Sequence, residues 1–198
     1  IPHRLIFTYK SMLFETKEPK LLYENVQKTI ESYQKSWGET DTEILFLDND
    51  RCADEIEQAD ARLLPHFHKE SEGKFKGDIC RIAVLFNRGG QYLDLDLRVI
   101  EPIILEDSVE FSTVRSPKDR SFFQAWVASR AHHPVLRKAL DVMLAYYEGR
   151  HELRGNNMGC SALKDAYEQV RSTDEGSIGR VRWFRELNLA TNPEIYSE

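Results

Sequence analysis

The chain has 198 residues, of which 41% are hydrophobic and 11% aromatic, and this composition supports a folded domain with a core. The same composition excludes a disordered tail, and the sequence has no apolar run of about 18 residues that would span a membrane. A formal net charge of −6 argues against a general nucleic-acid-binding protein, which would carry a basic face. Because the chain begins at Ile1 instead of Met, we expect any upstream signal or anchor to lie outside it.

Apolar runs and helical spacing predict an alternation of strands and helices. Strands are predicted at residues 4–9 and 43–47, in the run that ends at Asp96, and at residues 109–114, 122–128 and 181–184. Helices are predicted at residues 19–38, at 52–70 in two pieces broken at Pro65, from Gly77 to a stop at Gly89, from Pro134 to 147, and from a cap at Ser161 to 170. An irregular edge strand or a bulged turn is expected around Pro102. The alternation favours a single α/β domain, residues 1–198, with a mostly parallel central sheet flanked by helices.

An Asp-x-Asp pair ends the third predicted strand. Asp94 and Asp96 are two residues apart and so share one face of the strand, while Leu93 and Leu95 indicate that the other face is buried. Two neighbouring carboxylates without a basic residue between them are costly unless a positive group lies beside them. Since Mg²⁺ and Mn²⁺ prefer carboxylate and phosphate oxygens, the pair predicts a divalent-metal site, with a solvated turn as the alternative.

The helix that precedes this strand carries a second charged pair. Asp78 and Arg81 are three residues apart and share a helix face, either as binding residues or as a simple surface ion pair. Gly89 and Gly90 allow the positive φ angles that end a helix in a tight turn. We therefore expect the helix and the strand to lie close together, with their charged pairs at one place.

A second Asp-x-Asp follows another predicted strand. Asp48 and Asp50 come directly after the second strand, and the carboxyl ends of parallel strands meet at one edge of a sheet. We therefore expect them to share a site with Asp94 and Asp96. Two alternatives remain open for Asp48. It caps the following helix, or it is the nucleophile of a haloacid-dehalogenase-type phosphatase, although Cys52 stands where that family has Thr or Val.

The cysteines and histidines are less informative. Cys52, Cys80 and Cys160 are odd in number and lack Cys-x-x-Cys spacing, so neither a zinc site nor a disulfide framework is predicted. Cys80 lies among apolar helix residues and is interpreted as a small core residue. His132 and His133 precede a proline that opens a helix, where a histidine more often caps the helix than binds a metal.

Several stretches together resemble one known family. Residues 76–81, Lys-Gly-Asp-Ile-Cys-Arg, and residues 89–96, Gly-Gly-Gln-Tyr-Leu-Asp-Leu-Asp, are similar to the signature of the DXD-containing glycosyltransferases. This family is typified by the yeast initiating α-1,6-mannosyltransferase and is related to the glucosylating domains of clostridial toxins. Looser similarities are found to the family's first strand in residues 1–10, to the segment after the metal motif in residues 122–140, and to its Thr-Gly-Pro loop in residues 157–163.

The resemblance implies a GT-A fold and a retaining transfer of a hexose from a nucleotide sugar. It implies that Asp94 contacts the ribose or sugar of the donor and that Asp96 is a direct ligand of Mn²⁺ or Mg²⁺, with Asp94 close to the same ion. Asp78 and Arg81 would hold the sugar hydroxyls and the diphosphate, and Arg81 would stabilise the leaving group. The preferred mechanism is same-face substitution, in which the donor phosphate accepts the proton of the acceptor.

The resemblance also concerns the donor, the acceptor and the compartment. Tyr9 stands where the family often has Trp and would pack against the base, and Gly90 is included among the donor-binding residues. The donor would be a GDP- or UDP-hexose of the mannose, glucose or galactose type, and the acceptor a glycan, a lipid or a protein. Relatives act in the Golgi lumen behind an anchor, or in microbial cytoplasm. Cys160 in place of the loop proline and the short end after Trp183 make a degenerate nucleotide-sugar-binding module the alternative.

Overall fold

The structure is a computed structural model, and it describes residues 1–116, 121–153 and 158–186. The strands are β1 (Arg4–Thr8), β2 (Glu43–Leu47), β3 (Gly90–Leu93), β4 (Phe111–Arg115), β5 (Phe122–Ser129) and β6 (Val181–Arg185). The helices are α1 (Leu13–Thr16), α2 (Lys20–Trp37), α3 (Asn49–Asp60), α4 (Leu64–Lys69), α5 (Gly73–Arg88), α6 (Pro134–Tyr147) and α7 (Met158–Asp174). Within these described ranges, none of the helices has the length and apolar character needed to cross a membrane.

The six strands form one sheet in the order β2-β1-β3-β5-β4-β6. β1 runs parallel to β2 and β3, and β4 runs parallel to β6, whereas β5 is antiparallel to both of its neighbours, β3 and β4. The predicted α/β class with a central sheet flanked by helices is confirmed, and the sheet is mixed, with more parallel than antiparallel pairings. Because β5 is reversed, its first residues reach the edge of the sheet where β1 and β3 end.

Each face of the sheet packs against helices and has its own core. On one face, Leu5 and Phe7 of β1 pack with apolar residues of α2. On the other face, Ile6 of the same strand joins a larger core with residues of α3, α5, α6 and α7. Since successive residues of a strand point to opposite faces, the continuous apolar run of β1 reflects burial on both sides. Burial on both sides holds β1 in place, and its carboxyl end lies at the edge of the sheet where β3 also ends.

The region between β2 and α5 is divided at a different place from the one predicted. α3 ends at Asp60, a single 3₁₀ turn follows, and Pro65 lies in the first turn of α4 instead of breaking a helix. The carboxylate of Asp60 accepts hydrogen bonds from the backbone and side chain of Arg62 and from Arg137 of α6, which stabilises the break at that residue. Pro65 is tolerated because a helix has no partner for the N–H groups of its first turn.

The start of α7 also differs from the prediction. α7 begins at Met158, so Ser161 lies inside the helix and does not precede it as a cap. Most of the loop predicted at residues 155–159 falls in residues 154–157, outside the described residues. Asn157, the first residue of the segment that resembles the Thr-Gly-Pro loop, lies there as well, as does the polar tail after residue 186.

α5 is longer than predicted but ends at the predicted glycine. It begins at Gly73 instead of Gly77, and Gly89 follows its last residue with φ at +63°. A Cβ at this position would meet the backbone nitrogen of Ala131 at 2.7 Å, so both the backbone angle and the space require glycine. Of the two alternatives expected around Pro102, the edge strand is absent from residues 97–105, all of which are described, and the chain bends at residues 100–101.

A disulfide joins Cys52 in the first turn of α3 to Cys80 in the middle of α5. The prediction of no disulfide framework and the interpretation of Cys80 as a free cysteine are therefore wrong, whereas its place in the core is confirmed. Both residues are buried, at 3% and 0% exposure, because α3 and α5 pack side by side on the same face of the sheet. The spacing of cysteines in the sequence does not show which helices become neighbours.

His133 caps α6, as expected for a histidine before a helix-opening proline. Its Nδ1 accepts a hydrogen bond from the backbone N–H of Val135 at 3.3 Å, and its Nε2 lies 2.9 Å from the carbonyl oxygen of Ile178. The Nε2 atom is therefore the protonated one, since it faces a carbonyl acceptor. The ring is fully buried, and burial lowers the pKa of His133 to about 4.

Candidate active site

A cavity of about 830 Å³ opens at the carboxyl ends of β1 and β3. The residues that follow these strands form one wall, the first half of α5 forms another, and the start of β5 closes the floor. This is the edge of the sheet at which ligands bind in open α/β folds. Tyr9, Asp78, Arg81, Asp94 and Asp96, all predicted site residues, line this cavity together.

The Asp-x-Asp pair lies in a turn and not on a strand. β3 ends at Leu93, the N–H of Asp94 bonds to the carbonyl oxygen of Ala125 on β5 at 2.8 Å, and the turn then begins. The prediction that both aspartates share a strand face is therefore wrong, because the chain turns before the alternation of a strand can continue. Asp96 is exposed at the cavity, whereas Asp94 is half-buried.

The Asp94 carboxylate is held by one of its oxygens. Oδ1 accepts hydrogen bonds from the hydroxyl of Tyr92 at 2.9 Å and from Nη2 of Arg81 at 2.8 Å. The Tyr92 hydroxyl has one proton, which goes to Asp94, so the hydroxyl of Thr8 donates to the Tyr92 oxygen across 3.0 Å. Burial raises the pKa of Tyr92 to about 12, so this donor stays protonated at physiological pH. Within the described ranges, Oδ2 of Asp94 makes no hydrogen bond and is left for a ligand.

Arg81 is a buried group and not part of a surface ion pair. Its side chain is 8% exposed, and its guanidinium lies 4.4 Å from the centre of the Tyr92 ring. Nη1 donates to Oε1 of Gln124 at 2.9 Å, in addition to the bond from Nη2 to Asp94. Asp78 is farther away, with 3.5 Å between its Oδ1 and Nη1. The pairing predicted from helix spacing is therefore the weaker of the two contacts that Arg81 makes with carboxylates.

Asp78 is engaged by the start of α7. Its Oδ2 accepts a hydrogen bond from the N–H of Gly159 at 3.0 Å, across the cavity wall. Burial raises the pKa of Asp78 above its ordinary value, since the Arg81 charge at 3.5 Å compensates it only in part. A Cβ at Gly159 would overlap the carboxylate of Asp78 and the side-chain oxygen of Gln124, so this contact requires glycine.

The rim of the cavity carries aromatic and basic side chains. Tyr9 follows β1, lines the cavity and is half-buried. Lys10, Lys74 and Lys76 also line the cavity, and they bring positive charge that the sequence analysis did not assign to the site. Glu70, at the end of α4, is held by the hydroxyl of Tyr147 at 2.9 Å and by a backbone N–H.

Three predicted members of the site lie elsewhere. Asp48 accepts a hydrogen bond from the N–H of Arg51 at 3.0 Å and caps α3, and Asp50 is exposed in the first turn of that helix. Neither lines the cavity, so the expectation that four aspartates share one site is wrong, and a nucleophilic role for Asp48 loses its basis. Gly90 begins β3, at the opposite end of the strand from Asp94, and packs against the backbone of Arg4. It therefore does not reach a donor in the cavity.

The carboxylate oxygens at the cavity suit a divalent cation that is bound partly by the protein and partly by oxygens of a substrate. The described residues contain no group of three or more His, Cys, Asp or Glu side chains that would enclose a metal ion. Asp94 Oδ2 and the exposed carboxylate of Asp96 are hard oxygen donors, which suit Mg²⁺ or Mn²⁺. Such ions are commonly held by one or two carboxylates together with water and phosphate oxygens, and the donor set matches that arrangement.

Sequence reasoning missed several residues that shape this site. Tyr92 holds Asp94, Gln124 holds Arg81, and Gly159 holds Asp78. A signal was present for two of them. In the predicted strand, Tyr92 shares a face with Asp94, and Gln124 is the polar residue within the predicted apolar strand 122–128. Gly159 lies in the segment that resembles the family's Thr-Gly-Pro loop, but its bond to Asp78 depends on the position of α7, which no local pattern indicates.

Comparison with known proteins agrees with this geometry. Residues 4–115, more than half of the chain, match the family described as "Glycosyltransferase sugar-binding region containing DXD motif". The chain therefore belongs to the DXD-motif glycosyltransferases and is a glycosyltransferase. A solved structure described as "PaToxG Glycosyltransferase" superposes with a TM-score of 0.53 at 16% identity, over 90% of this chain and 73% of that one. This similarity confirms the predicted GT-A fold. No curated protein matches the chain.

Proposed function

We propose that the chain transfers a hexose from a UDP- or GDP-sugar to a glycan, lipid or protein acceptor, with retention and with Mn²⁺ or Mg²⁺ at Asp94 and Asp96. The observation that carries this proposal is the Asp94 carboxylate. Tyr92 and Arg81 fix its Oδ1, while Oδ2 has no hydrogen bond within the described part of the chain. A carboxylate oriented before any ligand arrives loses little freedom on binding, which favours affinity.

The cavity offers a separate group for each part of a nucleotide sugar. Tyr9 would stack on the base, Asp94 and Asp96 would hold the cation, and the lysines of the rim would face the diphosphate. Asp78 would accept a hydrogen bond from a sugar hydroxyl through Oδ1, because its Oδ2 is already bonded to Gly159. Arg81 then acts mainly by holding Asp94.

Retention follows most simply from a same-face substitution. Glu70 accepts hydrogen bonds at both of its oxygens, while Asp78 and Asp94 are assigned to a sugar hydroxyl and to the cation, so we assign none of these three as a nucleophile. The acceptor oxygen would form its bond to the anomeric carbon on the face from which the diphosphate leaves. Its proton would pass to an oxygen of the departing diphosphate. The bound cation would neutralise the charge that develops on that leaving group.

The disulfide supports a proposal about compartment. Disulfides form and persist in oxidising compartments and are rare in reducing ones. The bond between Cys52 and Cys80 therefore favours a Golgi-type lumen over the cytoplasm for this chain. Mass analysis of purified protein, alkylated before and after reduction, tests this. We expect two thiols to become reactive only after reduction, and complete alkylation without a reductant contradicts the proposal.

Turnover of labelled donors tests the proposed activity directly. Purified chain is incubated with UDP- and GDP-hexoses, with Mn²⁺ or with a chelator, and release of nucleoside diphosphate is followed. We expect release from at least one donor that stops when the metal is chelated, and an anomeric configuration in the product that matches the donor by NMR. Turnover that is unaffected by the chelator contradicts the metal assignment. Metal-dependent binding without turnover supports a nucleotide-sugar-binding module instead.

A further inference from the structure

Gln124 carries a buried amide in β5, a strand made mostly of apolar residues. It is 1% exposed and lies in β5, between Phe123 and Ala125. Burying an amide is unfavourable unless all of its polar atoms find partners, and an apolar residue would fit such a position without that requirement. The position of Gln124 against the cavity wall therefore calls for an explanation beyond the stability of the sheet.

The oxygen of Gln124 fixes one end of the Arg81 guanidinium. Oε1 accepts from Nη1 at 2.9 Å, while Nη2 of the same planar group donates to Asp94 at 2.8 Å. Because the planar guanidinium is bonded through both Nη atoms and stacked on the Tyr92 ring, its orientation is fixed. Without Gln124, Nη1 loses this acceptor, and the carboxylate within its reach is Asp78, at 3.5 Å. Rotation toward that carboxylate would draw Nη2 away from Asp94.

The nitrogen of the Gln124 amide bonds to the start of α7. Nε2 donates to the carbonyl oxygen of Gly159, and the N–H of Gly159 in turn donates to Asp78. Both polar atoms of the amide are thereby satisfied, and Asp78 is kept by the helix instead of by Arg81. We propose that Gln124 is a positioning residue for the metal-binding carboxylate, acting through Arg81 to keep the guanidinium on Asp94. This inference rests on the proposed function.

Gln91 provides a matched control on the neighbouring strand. It is also a buried glutamine, at 2% exposure, and its amide makes three side-chain hydrogen bonds, against the two described for Gln124, through the same kinds of atoms. Its oxygen accepts from Tyr33 and Trp126, and its nitrogen donates to the carbonyl of Ile103, on the opposite face of the sheet from Arg81. Replacing it by methionine removes a comparable buried network without touching the cavity.

The experiment measures the affinity of Mn²⁺ by electron paramagnetic resonance, with UDP and, in a parallel series, with GDP. We expect Gln124→Met to weaken Mn²⁺ binding by about ten- to a hundredfold, as is usual when a group that orients a metal ligand is lost. Gln124→Glu keeps an acceptor for Arg81 and is expected to recover most of this loss. Gln91→Met is expected to bind Mn²⁺ as the wild type does. If Gln124→Met does not fold, Gln124→Asn, whose shorter amide does not reach Arg81, replaces it with the same expected loss.

Two results would overturn the role of Gln124. In one, Gln124→Met and Gln91→Met show the same affinity, which indicates that the residue only stabilises the sheet. In the other, Gln124→Glu is as weak as Gln124→Met, which indicates that the bond to Gly159 matters and the bond to Arg81 does not. A wild-type chain that binds no Mn²⁺ with either nucleotide contradicts the proposed function itself, and so the two failures are distinct.

Discussion

The two Asp-x-Asp segments of this chain follow the same kind of strand and do different things. β2 and β3 lie on either side of β1 and run parallel to it, so both segments leave the sheet at the same edge. After β2, Asp48 accepts from the N–H of Arg51 and begins α3. After β3, Asp94 is held by side chains, and the turn presents it with Asp96 to the cavity.

The difference comes from the backbone that leaves each strand. A helix that begins at once offers free N–H groups, and an aspartate at its N-cap satisfies one of them. β3 is followed by a turn with no helix, and Arg81 from a separate element holds one oxygen of Asp94. In this chain, the acidic pair that lines the cavity is the one whose first carboxylate is not used to cap a helix.

Removing the exposed carboxylate at each segment should give opposite results. Asp96→Ala is expected to lower kcat/KM for the donor by about 10³-fold, because loss of the cation removes several kcal/mol of leaving-group stabilisation. Asp50→Ala, in the first turn of α3, is expected to leave kcat/KM unchanged. Steady-state assays with Mn²⁺ compare the two variants. Equal losses would show that both segments belong to one site.

The disulfide links α3, the helix that Asp48 caps, to α5, the helix whose Arg81 holds Asp94. Cys52 lies in α3 and Cys80 lies in α5, next to Arg81, with a sequence separation of 28 between the two cysteines. A double replacement by alanine is expected to lower the free energy of unfolding by about 3–4 kcal/mol, mainly by freeing the unfolded chain. Urea denaturation measures this loss, with Cys160→Ala as the single-cysteine control. An unchanged unfolding midpoint in the double variant would contradict the pairing.

His133 caps α6, as Asp48 caps α3, and its burial makes the stability of the chain depend on pH. Because its folded pKa of about 4 lies below the ordinary value of 6.5, the unfolded state takes up the proton first as the pH falls. Stability is thus fully present above pH 6.5 and declines toward pH 4, by about 3 kcal/mol. In His133→Asn, which keeps a capping side chain, the free energy of unfolding should fall less between pH 6.5 and pH 4. Denaturation curves measured at several pH values in this range give that dependence. An equally steep decline in that variant would contradict the assignment.

Asp48→Ala should produce the smallest change and should affect stability alone. The variant loses the N-cap bond to Arg51, and we expect it to lower the free energy of unfolding by about 1 kcal/mol. Its kcat/KM for the donor should equal that of the wild type, since Asp48 does not line the cavity. A fall in kcat/KM at unchanged stability would return Asp48 to the site.

The strands were predictable because apolar runs bounded by turns are strong local signals. β2 has the predicted limits, and β1, β5 and β6 differ from them by one residue at most at either end. Helix limits were less predictable, since Asp60, where α3 ends, also accepts a hydrogen bond from Arg137 of α6, a residue far along the chain. The disulfide was not predictable, because it depends on α3 and α5 becoming neighbours.

The candidate site was predictable in its residues and not in its bonds. The signature indicated Asp78, Arg81, Asp94 and Asp96, and all four line one cavity. Helix spacing paired Arg81 with Asp78, yet the closer carboxylate is Asp94, which tertiary packing brings to 2.8 Å. Spacing reports which residues share a face of one element, and it says nothing of contacts between elements.

Thermal denaturation with nucleoside diphosphates tests the central claim, that Asp94 and Asp96 hold a cation which binds the donor diphosphate. The wild type, Asp96→Ala and Asp50→Ala are each measured with UDP or GDP, in Mn²⁺ or in a chelator. We expect one nucleotide with Mn²⁺ to raise the Tm of the wild type and of Asp50→Ala by about 5 °C at saturation. Neither Asp96→Ala nor the chelated samples should show this shift. An equal shift in Asp96→Ala, or one that persists in the chelator, would contradict the account.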